Sequence, residues 1–492
     1  MKKITIIGSG VGGLSAGIRL QKLGYDVDIY EKESTVGGKM NQIVDSGYKF
    51  DVGPTIVMMP DIYNEVFEFA GKNPEDYIHM RRIEPMMDLK FKNDDDLELT
   101  SDLVKLTKSM GDENASGYYK FLSDIYDKYI IANENFLNKS YRKPHDFFNM
   151  KSLVAGFKLH TLGDAYTAIS KFVEDDRIAK SIAFQTLYIG ISPYEGPSLY
   201  NIIPMIQSLY GVWYIDGGMY SMATAMAKLF EELGGKIHLN SDVSKIMVEN
   251  KKATGIIIDD KEFPSDYVLA NADFPYAMKN LIDETNRKKY TNKKIDSMKY
   301  SCSAFMIYLG TDKKYSNRNL HTIRFADDFK KNVDDLFANN IFPEDPSSYI
   351  YIPSRIDESM APEDGESIYI LTPVPELSSG KMSWSSDEVA KYRNKILTMM
   401  EDEDILPDIR DHIRVEHIYT PKDFEEKFNA YNGATFGLRP TLLQSNYFRP
   451  HNKSDEIENL YFAGSSVHPG AGVPIVLNSA KLTVEEILRD DK

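Results

Sequence analysis

The stretch KITIIGSGVGGLSAGIRLQKLGYDVDIYE, residues 3–31, restricts the fold more than any other part of the chain. Residues 3–8 are a short, mostly apolar run of strand length that ends on a glycine. Val11, Leu14 and Ile18 then recur at helical spacing up to a stop at Gly24, and residues 25–31 alternate as a second strand. Between strand and helix lies Gly8-Ser9-Gly10-Val11-Gly12-Gly13, a G-x-G-x-x-G pattern. Its first glycine permits a tight turn, its second lets backbone N–H groups approach a pyrophosphate, and its third lets the helix pack closely on the strand. The helix N-terminus adds partial positive charge for phosphates. Glu31, at the end of the second strand, is placed to accept hydrogen bonds from ribose hydroxyls. These residues predict a βαβ dinucleotide site in an α/β fold, with Ile7 through Gly13 and Glu31 around the ligand.

A second glycine loop follows at once: Glu31-Lys32-Glu33-Ser34-Thr35-Val36-Gly37-Gly38-Lys39. Gly37 and Gly38 permit another close backbone approach, and Lys39 sets a cation beside them. A plain nicotinamide enzyme does not call for this loop, so its position predicts a longer cofactor that continues past the first turn. Near the other end of the chain, residues 463–480 carry no Lys, Arg, Asp or Glu and are interrupted by Gly and Pro. That composition suits a loop lying flat against something better than an uninterrupted lipid-facing helix.

Composition removes several classes of function. A net charge of −16 over 492 residues lacks the basic footprint of a nucleic-acid binder. One cysteine, Cys302, permits no internal disulfide, and the histidines show no HExxH or similar ligand spacing, so no metal site is expected. Gly8 interrupts the apolar start, and no secretory cleavage pattern follows it. The chargeless window Gly196–Ile215 holds two prolines and is not expected to span a bilayer.

Strand and helix signals also cluster in residues 217–273 and from about Asn459 onward. The stretches between are rich in Tyr, Phe and Met and carry no glycine fingerprint. The expected organisation is one discontinuous nucleotide-binding domain, residues 1–74, 216–294 and 436–492. A second, α+β domain, residues 75–215 and 295–435, is inserted into it.

The fingerprint, the terminal Glu31 and the Gly37-Gly38-Lys39 loop resemble the FAD-dependent amine-oxidase-like superfamily, with Lys39 where arginine is more usual. Asp51-Val52-Gly53-Pro54-Thr55 and AGSSVHPGAGVPIVLNSAK narrow the likeness to bacterial phytoene-type carotenoid desaturases. FQTLYIGISPYEGPSLYNIIPMI and YSCSAFMIYLG look closest to the dehydrosqualene (4,4′-diapophytoene) desaturases, which act on thirty-carbon polyenes. The resemblance implies FAD as cofactor, held by the residues above together with Lys32, Gly53, Pro54, Thr55, Val243, Gly464, Ser465, Val473 and Pro474. In such enzymes the C-terminal loop lies along the flavin, and the next helix points its N-terminus at the ring. It further implies hydride transfer from an allylic methylene to flavin, with oxygen or a quinone as the final acceptor. No paired carboxylates mark the base, and His468 is the one weak catalytic candidate. Related activities with the same motifs are oxidation of a terminal methyl group and redox-neutral isomerisation. Rab GDP-dissociation inhibitors use the same fold as lipid escorts without flavin.

A thirty-carbon hydrocarbon gains roughly 24 kcal/mol on leaving water, at about 0.8 kcal/mol per methylene. It must therefore pass directly between a membrane and the protein, which is expected in the cytoplasm, bound peripherally to the cell membrane. Residues 136–162 are the expected contact. Lys139, Arg142, Lys143, Lys151 and Lys158 stand against Asp146 alone, interleaved with Phe147, Phe148, Met150, Leu153, Val154 and Phe157. Arg142, Phe147, Phe148, Leu153 and Phe157 are the candidates for membrane grip and for the mouth of a substrate tunnel.

Overall fold

Ile4, Thr5, Ile6 and Ile7 are all buried because their strand, Lys3–Ile7, lies in the middle of a five-stranded parallel sheet. Asp26–Tyr30 pairs with it on one side, from Lys3 opposite Asp26 to Ile7 opposite Tyr30, and Lys236–His238 lies beyond. Tyr267–Ala270 pairs on the other side, and Leu460–Phe462 lies beyond that. The strand order thus turns back at Lys3–Ile7, and crevices beyond the carboxyl ends of strands at such a switch point are where open α/β sheets bind ligands. The helix Val11–Lys22 packs between Tyr220–Glu232 and Val473–Asp490, and Leu14, Ile18, Phe230 and Leu477 join Ile4 and Ile6 in one core. The computed structural model describes residues 2–159, 163–316 and 318–492, with only the backbone of Phe157.

A second sheet of seven strands runs in the order Ile413–Tyr419, Ser303–Thr311, Glu366–Val374, Ser348–Tyr351, His321–Phe325, Met87–Phe91 and Leu97–Leu99. Ser303–Thr311 is buried throughout because both faces of the sheet are covered. Phe305, Ile307 and Leu309 pack against Ile396, Leu397 and Met400 of the helix Ser386–Asp402. Ala304, Met306 and Tyr308 face the opposite way, into a core shared with the helices Asp112–Ala132, Asp176–Ala183 and Ile202–Tyr210. This is the period-two alternation of a strand between two layers. The chain enters and leaves the helical layer through an antiparallel pair, Met80–Ile83 with Val212–Ile215.

The chargeless window ending at Ile215 is split between the helix Ile202–Tyr210 and the strand Val212–Ile215. Among the described residues, no helix is long and apolar enough to cross a membrane.

Candidate active site

The two glycine loops run side by side. Gly10 bridges Gly37, and Gly37 N–H donates to the Ser9 carbonyl at 3.0 Å. Gly13 sits under the turn, where a Cβ would come 2.2 Å from the Gly8 carbonyl oxygen; it sets helix against strand and does not face the crevice. Gly10 and Gly12 do face it, with the Asn271 side chain beside them. Ser9 also differs from expectation. It is buried, and its N–H and hydroxyl both donate to Glu31 Oε2 at 2.8 Å, so it orients that carboxylate and lies off the crevice wall. The Glu33 N–H donates to Glu31 Oε1 at 3.0 Å. Ser241 N–H donates to the Glu31 carbonyl at 2.7 Å, which brings Ser241 through Val243 to the same wall.

Further in, Lys39 directs Nζ to the Thr435 carbonyl at 2.9 Å. Desolvation lowers its pKa below that of an ordinary ammonium, and the nearby Asp273 carboxylate partly offsets this. Three tyrosines of the second sheet hold the loop Val52–Thr55. Tyr308 Oη donates to the Val52 carbonyl at 2.8 Å, Tyr369 Oη donates to the Gly53 carbonyl at 2.9 Å, and Tyr349 Oη lies 2.7 Å from Thr55 Oγ1.

The C-terminal loop closes the crevice from the other side. Arg449 is buried and donates to the carbonyls of Leu438, Gln444, Ser465 and Val467, and burial pushes its pKa down to about 10. Ser466 Oγ donates to Asp273, whose other oxygen accepts the Tyr431 N–H. The final helix begins at Val473 with Pro474 in its second position, one residue later than the first position that suits proline. Gly472, Val473 and Pro474 line the crevice, so the partial positive charge of an eighteen-residue helix is directed at it. His468, the catalytic candidate, points away from the crevice. It does not line the crevice, its Nε2 donates to the Lys139 carbonyl at 2.8 Å, and burial pushes its pKa down to about 3.

All these walls belong to one continuous cavity of about 460 Å³. Every predicted cofactor residue lines it except Ser9 and Gly13. Beyond Thr55 it widens into a chamber whose walls include Phe184, Tyr188, Met306, Phe325, Tyr349 and Leu371. The charged residues of the lining are Glu31, Lys32, Glu33, Lys39, Asp242, Asp273 and Lys427, and none of the lining residues at 184–188 or 302–373 is charged.

The segment expected to form the tunnel mouth is not part of the described cavity wall. Among the described residues, none between 59 and 183 lines the cavity, so Arg142, Phe147, Phe148 and Leu153 do not form its wall, and the side chain of Phe157 lies outside the described residues. Arg142 also presents no free cation, because its guanidinium pairs with Glu486 and Asp490 of the final helix. Phe148 and Leu153 are exposed, at 57% and 54%. Phe147 is tucked against Tyr447, and Phe148 lies 6.2 Å from Phe448.

Over residues 11–488 the sequence matches the family of flavin containing amine oxidoreductases. The chain belongs to that family. It is an FAD-dependent oxidoreductase of the amine-oxidase fold. It is 45% identical, across 99% of both chains, to a 4,4′-diapophytoene desaturase (4,4′-diaponeurosporene-forming) of Staphylococcus aureus strain Newman. Among solved structures it resembles an oxidoreductase from Methanosarcina mazei, with 17% identity and a TM-score of 0.65 over 99% of this chain and 100% of the other. Putrescine oxidase with bound putrescine gives the same TM-score at 11% identity, over 99% of each chain.

The residues present fit FAD. Side chains are missing where the backbone must approach the cofactor. Gly37, Gly464 and Gly472 have φ of +109°, +132° and +105°, which a larger residue would hold only under strain. Glu31 is held by three donors and still lines the crevice for a ribose. Asn271, Asp273 and Arg449 were missed in the sequence. The findable signal was position, since Asn271 directly follows a strand beside Lys3–Ile7 and opens onto the same crevice.

Proposed function

We propose that this chain desaturates a thirty-carbon polyene, taking 4,4′-diapophytoene toward 4,4′-diaponeurosporene in carotenoid synthesis. The observation that carries this reading is the cavity itself: one continuous space lined both by the two glycine loops and by aromatic and aliphatic residues at 184–188 and 302–373, none of them charged. The Staphylococcus relative supports the choice of substrate. Residues 1–74, 216–294 and 436–492 serve as the cofactor domain, and residues 75–215 and 295–435 as the substrate domain.

When bound, FAD supplies the hydride acceptor. The protein then has to place an allylic C–H bond and keep water away. The three tyrosine hydroxyls fix the Val52–Thr55 loop between the two parts of the cavity, and the Arg449 guanidinium fixes the 465–467 loop across from it. Phe184, Met306 and Phe325 supply an apolar wall in which a polyene loses nothing by leaving lipid.

Delivery is from a membrane surface. Phe148, Met150, Leu153 and Val154 are exposed, and exposed Phe448 meets Phe148 from a distant part of the chain. Lys143, Lys151 and Lys158 are exposed beside them with no ion pair among the described residues. Each such cation near an anionic leaflet contributes about 1 kcal/mol.

The test is purified, FAD-loaded protein mixed with liposomes holding 4,4′-diapophytoene. A visible spectrum of longer conjugation, with two hydrogens lost per step and no oxygen gained, is expected. Products carrying oxygen, or a shifted geometry at unchanged mass, would overturn the proposal.

A further inference from the structure

Removing a hydride and a proton from adjacent carbons requires a group that takes the proton, and the residues at 184–188 and 302–373 that wall the chamber include no carboxylate. Its polar side chains are therefore the candidates, and most are already committed. Ser303 Oγ donates to the Gly433 carbonyl at 2.6 Å, Tyr369 to Gly53 at 2.9 Å, and Ser348 Oγ lies 2.8 Å from Thr372 Oγ1. Tyr188 Oη rests 3.9 Å from Met87 Sδ. Cys302 is a thiol whose pKa burial pushes up to about 12.

Tyr349 differs from these in having a buried imidazole as a second partner. Its Oη lies 2.8 Å from His321 Nδ1 and 2.7 Å from Thr55 Oγ1, while its partly exposed ring lines the chamber. His321 is 1% exposed and does not line the chamber. Its ring is stacked on Tyr351 at 5.4 Å and 14°, which fixes its plane. Nε2 has no partner, and burial pushes the imidazole pKa down to about 3, so the ring is neutral. With its proton on Nε2, the ring offers the Nδ1 lone pair to the Tyr349 hydroxyl.

We propose that Tyr349 is the catalytic residue that accepts the substrate proton, and that His321, behind it, takes the hydroxyl proton in the same step. The proposal rests on the desaturase reading of this cavity. As the hydride leaves one carbon for the flavin, the C–H bond of the adjacent carbon breaks and its electron pair forms the new C=C bond. That proton goes to Tyr349 Oη, and the Tyr349 proton goes to His321 Nδ1. A carbon next to a developing allylic cation is a strong acid, so a weak base is sufficient if it is held within hydrogen-bonding reach. The imidazolium returns the proton through Tyr349 to water that enters once the product has left.

The experiment compares wild type, Tyr349→Phe and His321→Asn, each loaded with FAD and mixed without oxygen with liposomes of 4,4′-diapophytoene. Asparagine can accept the Tyr349 hydrogen bond but cannot take the proton, so it separates a relay from a structural contact. Flavin bleaching is expected to slow about 100-fold in both variants, a usual size for a lost proton-transfer group. It should also lose the slowing in deuterated water expected of wild type, with FAD affinity and melting temperature unchanged in His321→Asn, which leaves the Tyr349–Thr55 contact in place. Bleaching at the wild-type rate in either variant, or slowing in His321→Asn matched by lost FAD binding, overturns the assignment. If wild type itself fails to bleach, the desaturase reading fails and the proton relay with it.

Discussion

Asp51 closes the strand Tyr48–Asp51 just before the cofactor loop, with 1% exposure. Burial pushes its pKa up from 3.8 to about 6, and the hydrogen bonds it accepts from the Met219 and Tyr220 N–H groups and from the Gln42 and Tyr351 side chains offset this only in part. Between these two values the folded chain holds a proton that the unfolded chain has released. Stability therefore falls as pH rises from about 4 to about 6 and stays reduced above that. Two pKa units correspond to about 3 kcal/mol. Asp51→Asn keeps the shape and cannot ionise. With an unfolding entropy of about 2.1 cal/mol/K per residue, a chain of this length loses about 1 kcal/mol per degree. Circular dichroism melts at saturating FAD should place the variant about 3 °C above wild type at pH 7.5, narrowing to under about 1 °C at pH 4. A lower melting temperature at pH 7.5, or a gap that does not change with pH, would refute the reasoning.

Gly13→Ala drives a methyl into the Gly8 carbonyl, so it should destabilise by about 3 kcal/mol and leave the purified protein poor in flavin, read from its visible absorbance. Arg142→Ala removes charged hydrogen bonds from buried Glu486, which keeps Arg489; about 2 kcal/mol of stability should be lost in melts while liposome binding is unchanged. Reversing Lys143, Lys151 and Lys158 to Glu should weaken pelleting with anionic liposomes by at least about 3 kcal/mol, roughly 100-fold, and leave melting unaltered.

Features governed by local backbone geometry were legible in advance. The strand, turn and helix of residues 3–22, the position of Glu31 and the glycine loop at 37–38 follow from steric needs that leave few residue choices, and each lies where its chemistry requires. Long-range partners were not legible. Arg142 reads as a membrane cation within its own segment, and only folding reveals Glu486 facing it from the far end of the chain. His468 sits in a cofactor-like stretch, yet its ring turns toward Lys139. Tyr349 and His321 are unremarkable in sequence, two residues on neighbouring strands whose pairing depends on the register that sets His321 opposite Tyr351. The apolar surface around Phe148 was half visible, because Phe448 joins it only in three dimensions.

The cofactor crevice takes its walls from residues near 8, 31, 243, 271 and 464–476, so no single early segment contains a working grip. A ribosome making this chain must translate through Pro474 before a flavin can be held on all sides. Until then the cofactor crevice lacks the wall supplied by residues 464–476, and a nascent chain in that condition would depend on chaperones. Flavin shortage in a cell should accordingly lower the amount of this protein as well as its activity.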